Sequence, residues 1–125
     1  MKELLLKRCM HCGAIVKTVK DCKCEDCGIT CCRETMKAIK SNSADASVEK
    51  HKPTYEITDD LIIVKVNHVM EEEHYIEWIC LLTDKKEEYM YFLPGDEAIA
   101  TFDKVSSGKI YSYCNKHGLW LTEIK

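Results

Sequence analysis

The sequence predicts an all-β protein, an antiparallel β-sandwich preceded by a small cysteine-rich metal-binding domain. Three observations carry this expectation. Seven of the nine cysteines lie between Cys9 and Cys32. From Leu61 onward the chain breaks into short β-prone runs separated by turn signals. No long window repeats its apolar residues at the helical period, so little helix is expected.

The elements follow in order. Residues 1–37 are too short to bury an apolar core of their own, and ligation supplies the free energy that burial cannot. Residues 38–50 carry small polar residues and read as the linker that opens the second domain, 38–125. Leu61 to Val66 is rich in Ile and Val and follows the Asp59-Asp60 turn signal. Tyr75 to Thr83 alternates, with Ile76, Trp78, Cys80 and Leu82 expected on one buried face. Glu88 to Leu93 is aromatic and stops at Pro94-Gly95-Asp96. Ile99 to Phe102, Lys109 to Cys114 and Leu119 to Ile124 complete the set, with Ser107-Gly108 as a turn.

Composition excludes several classes. With 18 basic and 21 acidic residues the net charge is -3, and no basic excess exists to drive general nucleic-acid binding by counterion release. No apolar window is long enough to span a membrane. The opening Met1-Lys2-Glu3-Leu4-Leu5-Leu6-Lys7-Arg8 has an apolar run of three and does not read as a signal peptide. An odd number of clustered cysteines fits metal ligation in a reducing compartment, so a cytoplasmic location is expected.

Five residues of the second segment read as one metal site. His68 has the parity of Ile62, Val64 and Val66, and His74 that of Ile76. Cys114 has the parity of Ile110, so three candidate ligands leave strand ends toward the core side. Cys114-x-x-His117 lets one turn present two ligands, and His51 follows Glu49-Lys50. Four imidazoles and a thiolate exceed the four ligands of a closed zinc site and favour a redox metal such as iron or copper. With the nitrogens in a plane the thiolate is axial and the opposite face stays open. A ferrous ion so held carries one net positive charge, and Lys50 adds another, a local attraction for a small anion.

Taken singly, none of these residues is diagnostic. His51 alone reads as an ordinary surface or core histidine, Cys114 as a small buried hydrophobe, and Glu49-Lys50 as a solvated pair. Glu71-Glu72-Glu73 reads as a solvated loop without function. Met70, Trp78 and Trp120 read as core, and Cys80 as a structural thiol.

The combination resembles the superoxide reductases, the desulfoferrodoxin and neelaredoxin group. The matching stretches are Glu49-Lys50-His51, His68-Val69-Met70 with His74-Tyr75-Ile76-Glu77-Trp78-Ile79, and Cys114-Asn115-Lys116-His117-Gly118-Leu119-Trp120. The first segment resembles a desulforedoxin domain in Cys9-Met10-His11-Cys12-Gly13 and in Cys31-Cys32 followed by Glu34 and Met36. The resemblance implies an immunoglobulin-like sandwich and a homodimer. It makes His51, His68, His74 and His117 equatorial iron ligands and Cys114 the axial one. Glu49 is then the carboxylate that binds ferric iron at rest, and Lys50 attracts superoxide and helps stabilise or protonate the peroxide. The implied reaction is one-electron reduction of superoxide to hydrogen peroxide, with the iron re-reduced by an external donor such as rubredoxin. Val69 stands where the family usually has proline, which loosens the approach to His68 without removing a ligand.

The first cysteine site has two readings. The desulforedoxin pattern assigns Cys9, Cys12, Cys31 and Cys32. Spacing alone also pairs Cys9-x-x-Cys12-Gly13 with Cys24-x-x-Cys27-Gly28, as in a zinc ribbon or rubredoxin-like site. The Cys-Cys-x-Glu-x-Met ending favours the first set, and Cys22 is left over in both. Iron there would store or relay electrons, and zinc would be structural. Two functions compete with the enzyme: a zinc-stabilised interaction module with incidental histidines, and an electron carrier using only the tetracysteine site.

Overall fold

The computed structural model describes residues 2–23 and 28–125. The chain divides into two compact units, one of Leu4–Lys40 and one of residues 1–3 with Ser41–Lys125. Cys24 and Cys27, the alternative ligands of the first site, lie outside the described residues.

The smaller unit holds β1 (Leu6–Arg8), β2 (Ile15–Lys17), β3 (Thr30–Cys31), β4 (Glu34–Thr35) and β5 (Lys37–Ala38). β1 is the centre of a three-stranded sheet ordered β2-β1-β5. β3 and β4 form a two-stranded hairpin. Its loop residues Cys32 (φ 53°) and Arg33 (φ 66°) are both left-handed, the pattern that matches the twist of a two-residue hairpin. Among the described residues, Leu4, Leu6, Cys9 and Met36 are the buried hydrophobic residues of this unit, too few for a core.

The larger unit opens with one short helix, α1 (Val48–His51), followed by β6 (Thr54–Ile57) and β7 (Leu61–Lys65). Then come β8 (Ile76–Leu82), β9 (Glu87–Tyr91), β10 (Ile99–Asp103), β11 (Gly108–Cys114) and β12 (Gly118–Ile124). A three-stranded sheet β10-β7-β6 faces a four-stranded sheet β12-β11-β8-β9, and every pairing is antiparallel. Between them lie Ile62, Val64, Ala100 and Phe102 from one sheet, and Ile79, Leu81, Ile110 and Ile124 from the other. The all-β sandwich with a cysteine-rich segment in front of it is therefore the fold. β6 and α1 are additions to the expectation. The small polar residues of 38–50 hid a single helical turn ending at His51.

The alternation expected over Tyr75–Thr83 fails for a specific reason. Tyr113 pairs with Trp78 but Cys114 pairs with Ile76, so Glu77 is an extra residue in β8. Such a bulge reverses the facing of everything beyond it. Ile76, Ile79 and Leu81 point into the sandwich, whereas Trp78, Cys80 and Leu82 point to the other side of the sheet. Every residue of β11 is buried, as are five consecutive residues of β8, so both faces of these strands are covered. That is why the run reads as continuously apolar.

Candidate metal centre

Three stretches of chain supply five side chains: the end of α1, the β7–β8 connection and the β11–β12 connection. His51 is the last residue of α1 and is buried. Its peptide carbonyl accepts the Ser112 hydroxyl at 2.9 Å, and its Nδ1 bonds the Ser47 carbonyl at 2.6 Å. That contact leaves Nε2 as the free lone pair. His68 lies just beyond buried Val66, and its Nδ1 is held by the Val69 carbonyl, again leaving Nε2 inward. The group used at position 69 is a carbonyl, which valine supplies as well as proline does.

His74 closes a four-residue turn. Its backbone exchanges two hydrogen bonds with Glu71, at 3.0 and 3.1 Å. The three glutamates are exposed, yet their backbone aims His74, so the loop does serve the site. Cys114 ends β11, and His117 sits in the three-residue loop Asn115-Lys116-His117. Gly118 (φ 81°) closes that loop in the left-handed region glycine tolerates. The amide of His117 donates to Cys114 Sγ at 3.4 Å.

The four imidazoles form a square. Successive ring centroids His51–His68, His68–His74, His74–His117 and His117–His51 are 4.7, 4.6, 5.1 and 4.9 Å apart. The diagonal His51–His74 is 6.4 Å, longer than each side. Neighbouring rings are steeply crossed, at 70° to 89°. Cys114 Sγ lies 3.5 Å from His68 Nε2 and 3.9 Å from His117 Nδ1. His51 Nε2 and His117 Nδ1 face each other at 3.0 Å. Ligand atoms of His51, His74, Cys114 and His117 all fall within 4.8 Å of one another.

Three observations fit a cation here. The buried His74 Nε2 has no hydrogen-bond partner, although a buried imidazole nitrogen normally finds one. Burial pushes the His51, His68 and His74 imidazoles below their ordinary range, so they are neutral donors at neutral pH. Burial also pushes the Cys114 thiol up, against the opposing pull of the Lys116 and His117 amides. A buried thiolate among neutral rings needs a positive charge, and a redox metal with mixed nitrogen and sulfur ligands supplies it.

Glu49 and Lys50 sit on α1 beside His51 and are exposed. The Lys50 charge reaches the His51 ring and opposes its protonation. Lys116 acts the same way on His74 and also favours the Cys114 thiolate, a contribution the sequence reading did not assign. Two further residues were missed. Trp120 is buried as expected, but it stacks on His51 at 5.1 Å and its indole N–H donates to the His117 carbonyl at 3.2 Å. Asn115 ties the cysteine loop to the histidine turn, accepting the Tyr75 amide at 3.0 Å and donating to the Glu73 carbonyl at 2.9 Å. The Cys-x-x-His loop itself was the only signal for Asn115.

In the smaller unit, Cys9, Cys12, Cys31 and Cys32 bring their sulfurs within 4.8 Å of one another. Cys12 and Cys31 are 3.7 Å apart, and Cys31 and Cys32 3.9 Å. The Cys12 amide donates to Cys9 Sγ and is the chief reason that thiol falls to about 6. The crowd of sulfurs led by Cys12 raises Cys31 to about 12. Four thiols that cannot all ionise together form a tetrathiolate once a cation joins them.

Comparison with known proteins agrees with this geometry. The desulfoferrodoxin family model matches residues 43–123. A desulfoferrodoxin of Syntrophotalea carbinolica is 39% identical over 126 residues, covering 98% of each chain. A superoxide reductase of Pyrococcus abyssi is 33% identical over 106 residues, covering 66% of this chain and 92% of that one. The crystal structure of the superoxide reductase from Treponema pallidum aligns with a TM-score of 0.73 at 27% identity, covering 97% of this chain and 99% of that one.

Proposed function

The chain belongs to the desulfoferrodoxin family, and on that premise we propose that it is a superoxide reductase, an oxidoreductase that reduces superoxide to hydrogen peroxide. The observation that carries the reading is the square of four imidazoles with a cysteine sulfur against it. The proposed iron ligands are His51 Nε2, His68 Nε2, His74 Nε2, His117 Nδ1 and Cys114 Sγ.

Iron held there would supply one electron to superoxide and be restored by an outside donor. The chain does the rest. The Ser47 and Val69 carbonyls orient the His51 and His68 rings, Trp120 stacks on His51, and the Trp120 indole N–H anchors the backbone of His117, all independently of a metal. The Lys116 and His117 amides partly neutralise the sulfur. Lys50 draws the anion in and stabilises or protonates the peroxide. Glu49 is the carboxylate that closes the site at rest. The remaining assignments rest on the same family membership: Cys9, Cys12, Cys31 and Cys32 hold iron or zinc in a desulforedoxin-like domain, and the protein is a cytoplasmic homodimer with a rubredoxin-like donor. Among the described residues no helix is long and apolar enough to cross a membrane.

Metal analysis with an absorption spectrum tests this. The oxidised protein should contain iron and show a visible thiolate-to-iron charge-transfer band. Cys114→Ser should remove the band and superoxide reduction while the far-UV circular dichroism stays unchanged. Zinc alone with no visible band would leave the interaction-module reading standing.

A further inference from the structure

The bulge at Glu77 has turned a set of aromatic rings to the side of the four-stranded sheet away from the core. Cys114 points into the site, and Tyr113, bonded to it through the backbone, points to that opposite side. Tyr113 is buried and its ring stacks on Trp78 at 5.5 Å and 10°. Trp78 meets Tyr89 edge-on at 5.5 Å. Tyr89 stacks on Tyr91 at 5.9 Å and 12°, and Tyr91 is 69% exposed. Four rings in unbroken contact therefore lead from the residue bonded to Cys114 to the surface.

Ring contacts of this kind ordinarily serve packing. Two features exceed that role. The ladder starts at the residue bonded to a proposed iron ligand and ends at an exposed ring. Its third ring also carries a proton acceptor: the Tyr89 hydroxyl donates to Glu87 Oε1 at 3.1 Å. A phenol gives up an electron readily only when its proton leaves too. Burial holds the Tyr89 hydroxyl protonated, well above the usual phenol range, so the carboxylate beside it is what makes oxidation feasible.

We propose that Tyr113, Trp78, Tyr89 and Tyr91 form a hole-escape path that protects the ligands when the enzyme's own product oxidises the reduced site. The inference rests on the iron reading above. Hydrogen peroxide takes two electrons and two protons from its surroundings, its O–O bond breaks, and two waters form. One electron comes from the ferrous ion, which becomes ferric. The second comes from Tyr89, whose O–H bond breaks and whose proton passes to Glu87. The phenoxyl so formed takes an electron from Tyr91, whose own proton goes to water, while Tyr89 recovers the proton held by Glu87. A one-electron donor in solution, such as a thiol, then restores Tyr91 with an electron and a proton. Without the path the second electron comes from Cys114 or a ligating imidazole.

The test uses the iron-loaded protein, reduced without oxygen and treated with one equivalent of peroxide. Iron content and the absorption spectrum are recorded first. Freeze-quenched electron paramagnetic resonance then measures organic radical, and peptide mass spectrometry maps oxidation. The wild type should give a tyrosyl signal and oxidation at Tyr89 and Tyr91. Tyr89→Phe should lose most of that signal and gain several-fold oxidation at Cys114 and the histidine peptides, with an unchanged superoxide rate. Glu87→Gln, which keeps the packing, should move both readouts the same way. Equal radical yield and equal damage at the ligands in wild type and both variants, with iron bound, would overturn the path alone. Protein that holds no iron in this site would overturn the path together with the iron reading.

Discussion

At Cys114 two effects oppose each other. Burial disfavours the thiolate, and the amides of Lys116 and His117 favour it. The proposed iron would decide between them, which is why Cys114→Ser is expected to cost the metal centre far more than the fold. Around it, His51, His68 and His74 are held neutral chiefly by burial. Their folded-state affinity for protons lies below the unfolded value near 6.5, so below that pH the unfolded chain binds more protons. Stability should fall as pH drops through this window, visible as a declining midpoint in thermal melts of metal-free protein between pH 7 and 5. A flat profile would mean that these rings are not buried as described. Lys50 is exposed, so its charge acts through solvent. Lys50→Ala should slow reaction with superoxide at low salt and flatten the ionic-strength dependence, because a screened charge steers only within about 10 Å at 0.1 M salt. A rate that does not change at low salt would remove that role.

The β11–β12 loop shows how an element places ligands. It carries Cys114 and His117, and Asn115 bolts it to the turn that carries His74. Gly118 permits the closing backbone conformation, and a Cβ there would meet nothing within 4 Å. The cost of Gly118→Ala is therefore conformational, about 1–2 kcal/mol. It should appear as a lower melting temperature with the same iron stoichiometry, and loss of iron instead would show that the loop cannot absorb the strain. Parity along the strands foretold that Cys114 faces inward. It misplaced Trp78, Cys80 and Leu82, because a bulge is one inserted residue and leaves the hydrophobic pattern of a doubly buried strand unaltered. Helix α1 escaped notice because four residues are a single turn, with too few apolar positions to show a period.

Over the whole molecule the two units depend on different sources of stability. The sandwich is held by a packed core in which Ile62, Val64, Ile79, Leu81 and Ile110 are fully buried. Ile79→Ala should cost about 2–5 kcal/mol there. Among the described residues, the Leu4–Lys40 unit has four buried hydrophobic residues, one of them Cys9, and four converging thiols. If the four thiols hold the proposed metal, stripping it with a strong chelator should abolish amide protection in residues 4–40 while β8 and β11 keep theirs in hydrogen exchange. Equal loss in both units would refute independent stabilisation.

Residue types and spacings were enough to nominate the candidate ligands: the four histidines, Cys114 and the pair Cys31-Cys32 are written in short motifs whose order survives any folding. The strands β7 to β12 were legible too, since each announces itself within a few residues, whereas β6 and the two- and three-residue strands β1 to β5 are too short or too polar to do so. What only the tertiary structure decided is convergence and facing. The position of His51 depends on the hydroxyl of Ser112, far away in the chain, whereas the nearby carbonyls of Ser47 and Val69 turn Nε2 of His51 and His68 inward. The aromatic ladder arose the same way, from one extra residue in β8 and pairings among β8, β9 and β11. The Ser112 hydrogen bond and the β8–β11 pairing join positions remote in sequence, and a local pattern carries no record of them.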